Sequence, residues 1–169
     1  DSGSLYRLVA LVAIRRAIPW TDEGRLADVA AHLDVTFEGG SIILDNHDVA
    51  DEIRSEACSY GASKVGAVPA VRRALLDRQR AFRKAPGLVA DGRDMGTVVF
   101  PEAQLKVFLT ATPEARAERR HKQLIQKGIA VNIASLLKDL RERDERDMAR
   151  PDSPLKPSPD AHFLDTTAL

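Results

Sequence analysis

The sequence predicts an α/β domain in which a parallel sheet carries helices on both faces. Three observations point there. Short apolar, β-prone runs lie at 88–91 ("LVAD"), 105–111 ("LKVFLTA") and 161–165 ("AHFLD"). Stretches with helical apolar spacing precede and separate them, and there is a single hairpin signal. Strands alternating with helices pair in parallel, because each crossover returns the chain to the same end of the sheet. A hairpin isolated among helices does not belong to such a sheet, so residues 30–64 are expected to form a small inserted lobe.

The elements follow in order. Residues 4–18, "SLYRLVALVAIRRAI", repeat apolar positions at helical spacing and are expected to stop before Pro19. "TDEGRLADVAAHL" at 21–33 predicts a second helix, with Thr21 as its cap and acids in its first turn. "VTFEGGSIIL" at 35–44 places two β-rich runs around Gly39-Gly40, a hairpin pattern. Two helices are predicted over 50–66 and 69–85, the second opened by Pro69 at its first position. After Pro86-Gly87 come the strands at 88–91 and 105–111, then helices at 113–127 and about 132–149 joined by a loop at Gly128. "PDSPLKPSP" at 151–159 excludes a helix, and the strand at 161–165 follows it.

Composition narrows the function classes. With 169 residues, 44% hydrophobic and 30% charged, the chain suits one globular domain, or a core with an inserted lobe. Twenty-five basic residues balance 25 acidic ones. Neutral charge, one Trp and two Tyr disfavour a nucleic-acid-binding protein, since phosphate backbones demand a basic excess and single strands demand stacking platforms. The single cysteine, Cys58, cannot form an internal disulfide, which fits a reducing cytoplasm. The longest apolar run, "LVALVAI" at 8–14, is too short to cross a membrane, and no signal peptide is recognisable. A monomer is expected, because no long apolar stripe asks for a partner. The chain opens on Asp1 without Met and closes on "LDTTAL", a strand, a cap and the start of a further helix. Truncation at both ends is the expectation.

Charged residues cluster where an open parallel sheet binds ligands, beyond the carboxyl ends of its strands. "LVADGRD" delivers Asp91, Arg93 and Asp94 there, with Gly92 allowing a sharp turn. Asp91 would orient the waters of a Mg²⁺ ion, and Arg93 would clamp an anion with its planar fork. A loop whose charges satisfy one another is the equal alternative. "DSGSLYR" sets Ser2 and Arg7 at a helix start, where free amides favour phosphate. A plain cap with a surface arginine is the simpler reading of that segment. Arg72 falls in the first turn of its helix, as an anion ligand or as a solvated charge. In "RERDERDMAR", Arg143 with Asp147 and Glu142 with Arg146 form i,i+4 pairs, by default on a solvated face. From 113 to 150 there are ten Lys/Arg against seven Asp/Glu, a small basic bias.

Other chemistries lack support. The four histidines have no ligand spacing, and no Cys-His pairing suggests a metal or thiol site. No serine sits in G-x-S-x-G. "GASKVGAV" at 61–68 spaces two glycines five apart, but Ala67-Val68 replace the Lys-Ser/Thr of a phosphate-binding loop.

Together, "DSGSLYR", "VPAVRRALLDRQRAF", "ADGRDMGTVVFP", "LTATPEARAERR" and "RERDERDMAR" resemble the bacterial cytidylate kinases, nucleoside monophosphate kinases, in order and spacing over nearly the whole chain. The resemblance implies a P-loop-kinase-like core with a monophosphate-binding lobe (30–64) and a helical lid (113–131). It also implies phosphoryl transfer from ATP to CMP or dCMP with Mg²⁺, within pyrimidine nucleotide metabolism. By position in the motifs, Ser2, Arg7, Arg93 and Arg150 would hold the acceptor phosphate. Ser63, Arg72 and Asp94 would recognise cytosine, while Arg143 and Asp147 would meet the sugar. Lid arginines Arg116, Arg119 and Arg120 would face ATP, and Arg93, Arg150 and Asp91 would act in catalysis, Asp91 through the waters of the metal. One departure stands out. No G-x-x-x-x-G-K-[ST] occurs in the 169 residues, so the family's first strand and glycine-rich loop are expected upstream of "DSG", and the polypeptide alone is expected to be inactive. The alternatives are a related kinase for UMP, AMP or shikimate, and a non-catalytic nucleotide-binding module.

Overall fold

Leu5, Leu8, Val9 and Val12 recur every three or four residues, and they wind residues Gly3–Arg15 into α1, the most deeply buried helix of the computed structural model, which describes residues 1–169. The helix ends three residues before its expected end. Ala17 adopts a left-handed conformation (φ 49°), and Ile18 turns back to donate its amide to the Ala13 carbonyl at 2.8 Å, burying its side chain. Pro19 disfavours a helical conformation for the residue before it, which sets the stop.

The chain forms two compact units, residues 1–92 and 93–169. In the first, α2 (Glu23–Ala31) is capped by Asp22, whose carboxylate accepts from the Arg25 amide at 3.1 Å, rather than by Thr21. The hairpin pairs β1 (Val35–Glu38) with β2 (Ser41–Leu44) through Gly39 and Gly40, both at positive φ as this tight turn requires. The sheet then continues. Asp45 and Asn46, also left-handed, turn the chain into a third antiparallel strand, β3 (His47–Asp48), which hydrophobic patterning over two residues does not reveal.

The helix expected over 50–66 is broken. A 3₁₀ turn (Glu52–Arg54) precedes Ser55, whose extended backbone and side chain cap α3 (Glu56–Val65) by accepting from the Cys58 amide at 3.3 Å. α4 (Pro69–Ala81) starts at its proline as expected, and stops short of 85. Helix α1 packs on α3, and α2 on α4. The α1–α3 approach is close enough to need glycine: a Cβ on Gly61 would lie 2.8 Å from both the Ala10 Cβ and the Trp20 ring.

Residues 88–91 are not a strand, which corrects the sequence expectation. A strand exists through its neighbours, and none of the five strands pairs with this segment, so Val89 lies almost fully exposed.

The second unit opens on a π-turn (Met95–Val99), in which the Phe100 amide reaches the Met95 carbonyl at 2.8 Å. β4 (Val107–Thr110) and β5 (His162–Asp165) pair in parallel, Val107 opposite His162, so the expected parallel pairing is present as a two-stranded sheet. The crossover is α5 (Pro113–Gln126) and α6 (Ile133–Met148), capped by Thr112 and Asn132. Lys106 ties down the proline-rich return by donating to the Asp160 carboxylate at 2.9 Å. Val107, Leu109 and Phe163 are exposed on these strands. No helix is long and apolar enough to cross a membrane.

Candidate functional site

In the first unit, Asp1 precedes α1, and its carboxylate accepts from the Gly3 amide at 2.8 Å. Ser2 sits at the cap position, yet its hydroxyl makes no capping bond, so the simple-cap reading of this serine is not what the chain adopts. The Ser2 amide instead donates to the Asp91 carbonyl at 3.0 Å, and the Asp91 carboxylate lies 3.0 Å from the Asp1 amino group. The motif's first acid and the start of α1 are therefore neighbours, brought together from opposite ends of the unit.

One turn further along α1, Arg7 donates through Nη1 to the Ile53 carbonyl at 3.2 Å and to Ser59 Oγ at 2.8 Å. Its guanidinium is held by the 3₁₀ turn and α3. Arg72, read from sequence as an anion ligand or a solvated charge, is buried, with 9% exposure. It donates to the Gly66 carbonyl at 3.1 Å and lies 5.3 Å from the Tyr6 ring centre, a cation–π contact. A guanidinium withdrawn from water in this way is oriented rather than solvated. Ser63 is buried on α3, in the same unit. Sequence reasoning passed over Tyr6, Ser59 and the Gly66 carbonyl. Tyr6 alone left a trace, as the residue beside Arg7 in its motif.

In the second unit, three arginines converge on one carboxylate. Asp147 is fully buried on α6. Arg93 Nε approaches its Oδ2 at 3.2 Å, Arg143 Nε at 3.8 Å, and Arg150 donates to Oδ1. The i,i+4 pair read from sequence does form, but its acid belongs to a buried cluster, not a solvated face. The Glu142–Arg146 pair forms as well, at 3.8 Å. Asp94 is buried at the head of the π-turn, where its carbonyl accepts from the Val98 amide at 2.9 Å.

The α5 arginines divide. Arg116 makes a two-pronged bond to Asp144 of α6, one arm at 3.0 Å, and this partner raises the Arg116 pKa above the ordinary guanidinium range. Arg119 turns to the chain after β5, donating to the Thr166 carbonyl and, at 3.3 Å, to Thr166 Oγ1. Arg120 is half-buried on the same helix. Sequence reasoning did not single out Asp144, although its helical neighbours Arg143 and Asp147 were both named.

No group of three His, Cys, Asp or Glu side chains is arranged to ligate a metal directly. Mg²⁺ carried by a nucleotide needs less, since it keeps several waters and takes one or two carboxylates. The exposed Asp91 carboxylate suits that lesser requirement.

Comparison with known proteins is consistent across the chain. The profile of the cytidylate kinase family matches residues 1–169. A cytidylate kinase of Chromobacterium violaceum is 60% identical over 169 residues, covering 100% of this chain and 76% of that protein. Those of Bordetella bronchiseptica and Burkholderia mallei are each 59% identical over the same 169 residues, covering 76% and 74% of their own lengths.

Proposed function

The chain belongs to the cytidylate kinase family, and on that premise we propose that it serves ATP-dependent phosphorylation of CMP or dCMP to the diphosphate. The observation that carries this reading is the gathering of Arg93, Arg143 and Arg150 around the buried Asp147. Asp147 holds the three guanidinium groups together, and in this reading Arg93 and Arg150 turn their remaining donors to the acceptor phosphate, a partner that suits the planar fork.

Ser2, Arg7, Arg93 and Arg150 hold the acceptor phosphate in this reading. Phosphoryl transfer asks the protein for positioning and cancellation of charge more than for covalent chemistry. Arginines anchored by their own neighbours meet that requirement with little reorganisation. Arg72, held by Gly66 and Tyr6, presents donors to the ring acceptors of cytosine. Asp94 accepts from the exocyclic amine and Ser63 joins them, while Arg143 and Asp147 meet the sugar. Arg116, Arg119 and Arg120 serve the ATP side, within a lid at 113–131 that excludes water. The segment 30–64 is the acceptor lobe. Asp91 would hold waters of a nucleotide-bound Mg²⁺, which supplies further neutralisation of phosphate charge.

The 169 residues contain no G-x-x-x-x-G-K-[ST]. The polypeptide as it stands is therefore expected to bind CMP without transferring phosphate to it. Calorimetric titration with CMP, beside an ATP-plus-CMP assay, tests both halves. Absence of CMP binding would sink the acceptor assignment, and rapid turnover would sink the expected inactivity. Asp94→Ala should weaken CMP far more than UMP. Equal loss for both would favour a related acceptor.

A further inference from the structure

Helices α5 and α6 meet over a thin apolar contact. Among their side chains only Ala117, Leu124 and Leu136 are buried apolar groups. So few anchors fix neither the rotation nor the sliding of one helix on the other, because ridge-and-groove packing needs a longer row of side chains. The two-pronged bond from Arg116 to Asp144 does fix both. A guanidinium fork meets a carboxylate in one plane and one orientation, and here both partners are largely shielded from water. Glu114 and Arg141, paired at 2.6 Å and exposed, add a weaker tie nearby.

Asp144 follows Arg143 directly and precedes Asp147 by three residues, so all three lie within little more than one helical turn. Holding Asp144 therefore sets the rotation of α6 at the turn that presents Arg143 and Asp147. We propose that Asp144 is a positioning residue for acceptor binding, acting through Arg116 to hold Arg143 and Asp147 in register. The proposal rests on the acceptor assignment made above for Arg143 and Asp147.

The test is CMP binding by the 169-residue chain at 10 °C, with circular dichroism recorded on each variant. Asp144→Asn and Arg116→Ala should each weaken CMP roughly tenfold, as expected when a charged hydrogen bond is misaligned. The double variant should be no weaker than either single one, because both cut the same link. Asp144→Glu should recover most of the affinity, which a general loss of stability would not allow. Wild-type affinity in a folded Asp144→Asn chain overturns the proposal and leaves the acceptor assignment standing. If wild type itself fails to bind CMP, the acceptor assignment falls and the proposal with it. Should Asp144→Asn lose its helical signal, Arg116→Lys decides. It keeps the charge but not the fork, and unchanged CMP affinity in that variant overturns the proposal.

Discussion

Replacing Asp147 by Asn keeps the shape of the side chain and removes its charge from among three guanidinium groups. At an effective dielectric of about 20, a unit charge pair attracts by about 5 kcal/mol at the 3.2 Å of Arg93 and by about 4 kcal/mol at the 3.8 Å of Arg143. Arg150, closer still, adds to these terms, and desolvation of the fully buried carboxylate opposes them. Breaking one side of a buried ion pair costs about 3–5 kcal/mol. Spread over a chain of this size, that lowers the unfolding midpoint by roughly 6–20 °C, at about 2–4 °C per kcal/mol. Differential scanning calorimetry reads the midpoint, and hydrogen exchange at α6 amides reads the local loss. Trp20 fluorescence is the wrong probe, since Trp20 lies in the other unit. Arg15→Gln is the control. Its partner Glu52 is 2.6 Å away but exposed, so the loss should stay within about 1 kcal/mol. Inorganic phosphate should restore more stability to Asp147→Asn than it adds to wild type, because it replaces the missing negative charge. A midpoint shift no larger than that of Arg15→Gln would refute the claim that Asp147 organises the arginines.

Gly61→Ala should destabilise by about 1–3 kcal/mol through overpacking, since its Cβ would meet Ala10 and Trp20 at 2.8 Å; the Trp20 emission of the folded state should change with it. Ser55→Ala removes the α3 cap and should cost about 1 kcal/mol in urea unfolding, while unchanged stability would mean that water caps the helix equally well. The Asp160 carboxyl, bonded by Ser158 and then Lys106, should titrate by NMR at about 2. Its pKa is lowered on folding, so its contribution is present above the usual aspartate pKa of 3.8 and is lost as pH falls through about 2. Titration near 3.8 would remove the Lys106 tether from the solution structure.

Much of the fold was open to reading in the sequence, for reasons that are local. Helices α1, α5 and α6 carry their own apolar spacing and, for the last two, their own caps, so a window of about fifteen residues suffices. The hairpin announced itself through Gly39-Gly40. The misses have the opposite character. Residues 88–91 have the composition of a strand, but strand formation depends on a neighbour that composition does not supply. The break at Ser55 turned on one hydroxyl choosing a cap over a helix interior. The pairing of β3 turned on two left-handed residues between very short strands.

The site divides along the same line. Charged motifs are visible one at a time, and each taken alone admits a plain structural reading: a self-satisfied loop for Asp91, Arg93 and Asp94, a helix cap for Ser2, a solvated charge for Arg72. Arg143 and Asp147 form a legible i,i+4 pair, but the burial that gives the pair its significance comes from Arg93 and Arg150, and from the packing of α6. Arg72 was ambiguous because nothing in its own helix reveals that Tyr6 of α1 lies beside it. Asp91, Arg93 and Asp94 look like one charged cluster in sequence, yet they differ in exposure and in the neighbours named above. Asp91 stands exposed beside the first turn of α1, Arg93 turns to Asp147, and Asp94 is buried at the π-turn. One short loop thus leaves its three charges at different depths, Asp91 exposed, Arg93 half-buried and Asp94 buried. It follows that substitutions at these positions should fail in different ways. Asp94→Ala should alter base preference, Arg93→Gln should weaken the acceptor phosphate, and Asp91→Asn should leave CMP binding intact. A common phenotype for all three would mean that the loop acts as a single charged patch after all.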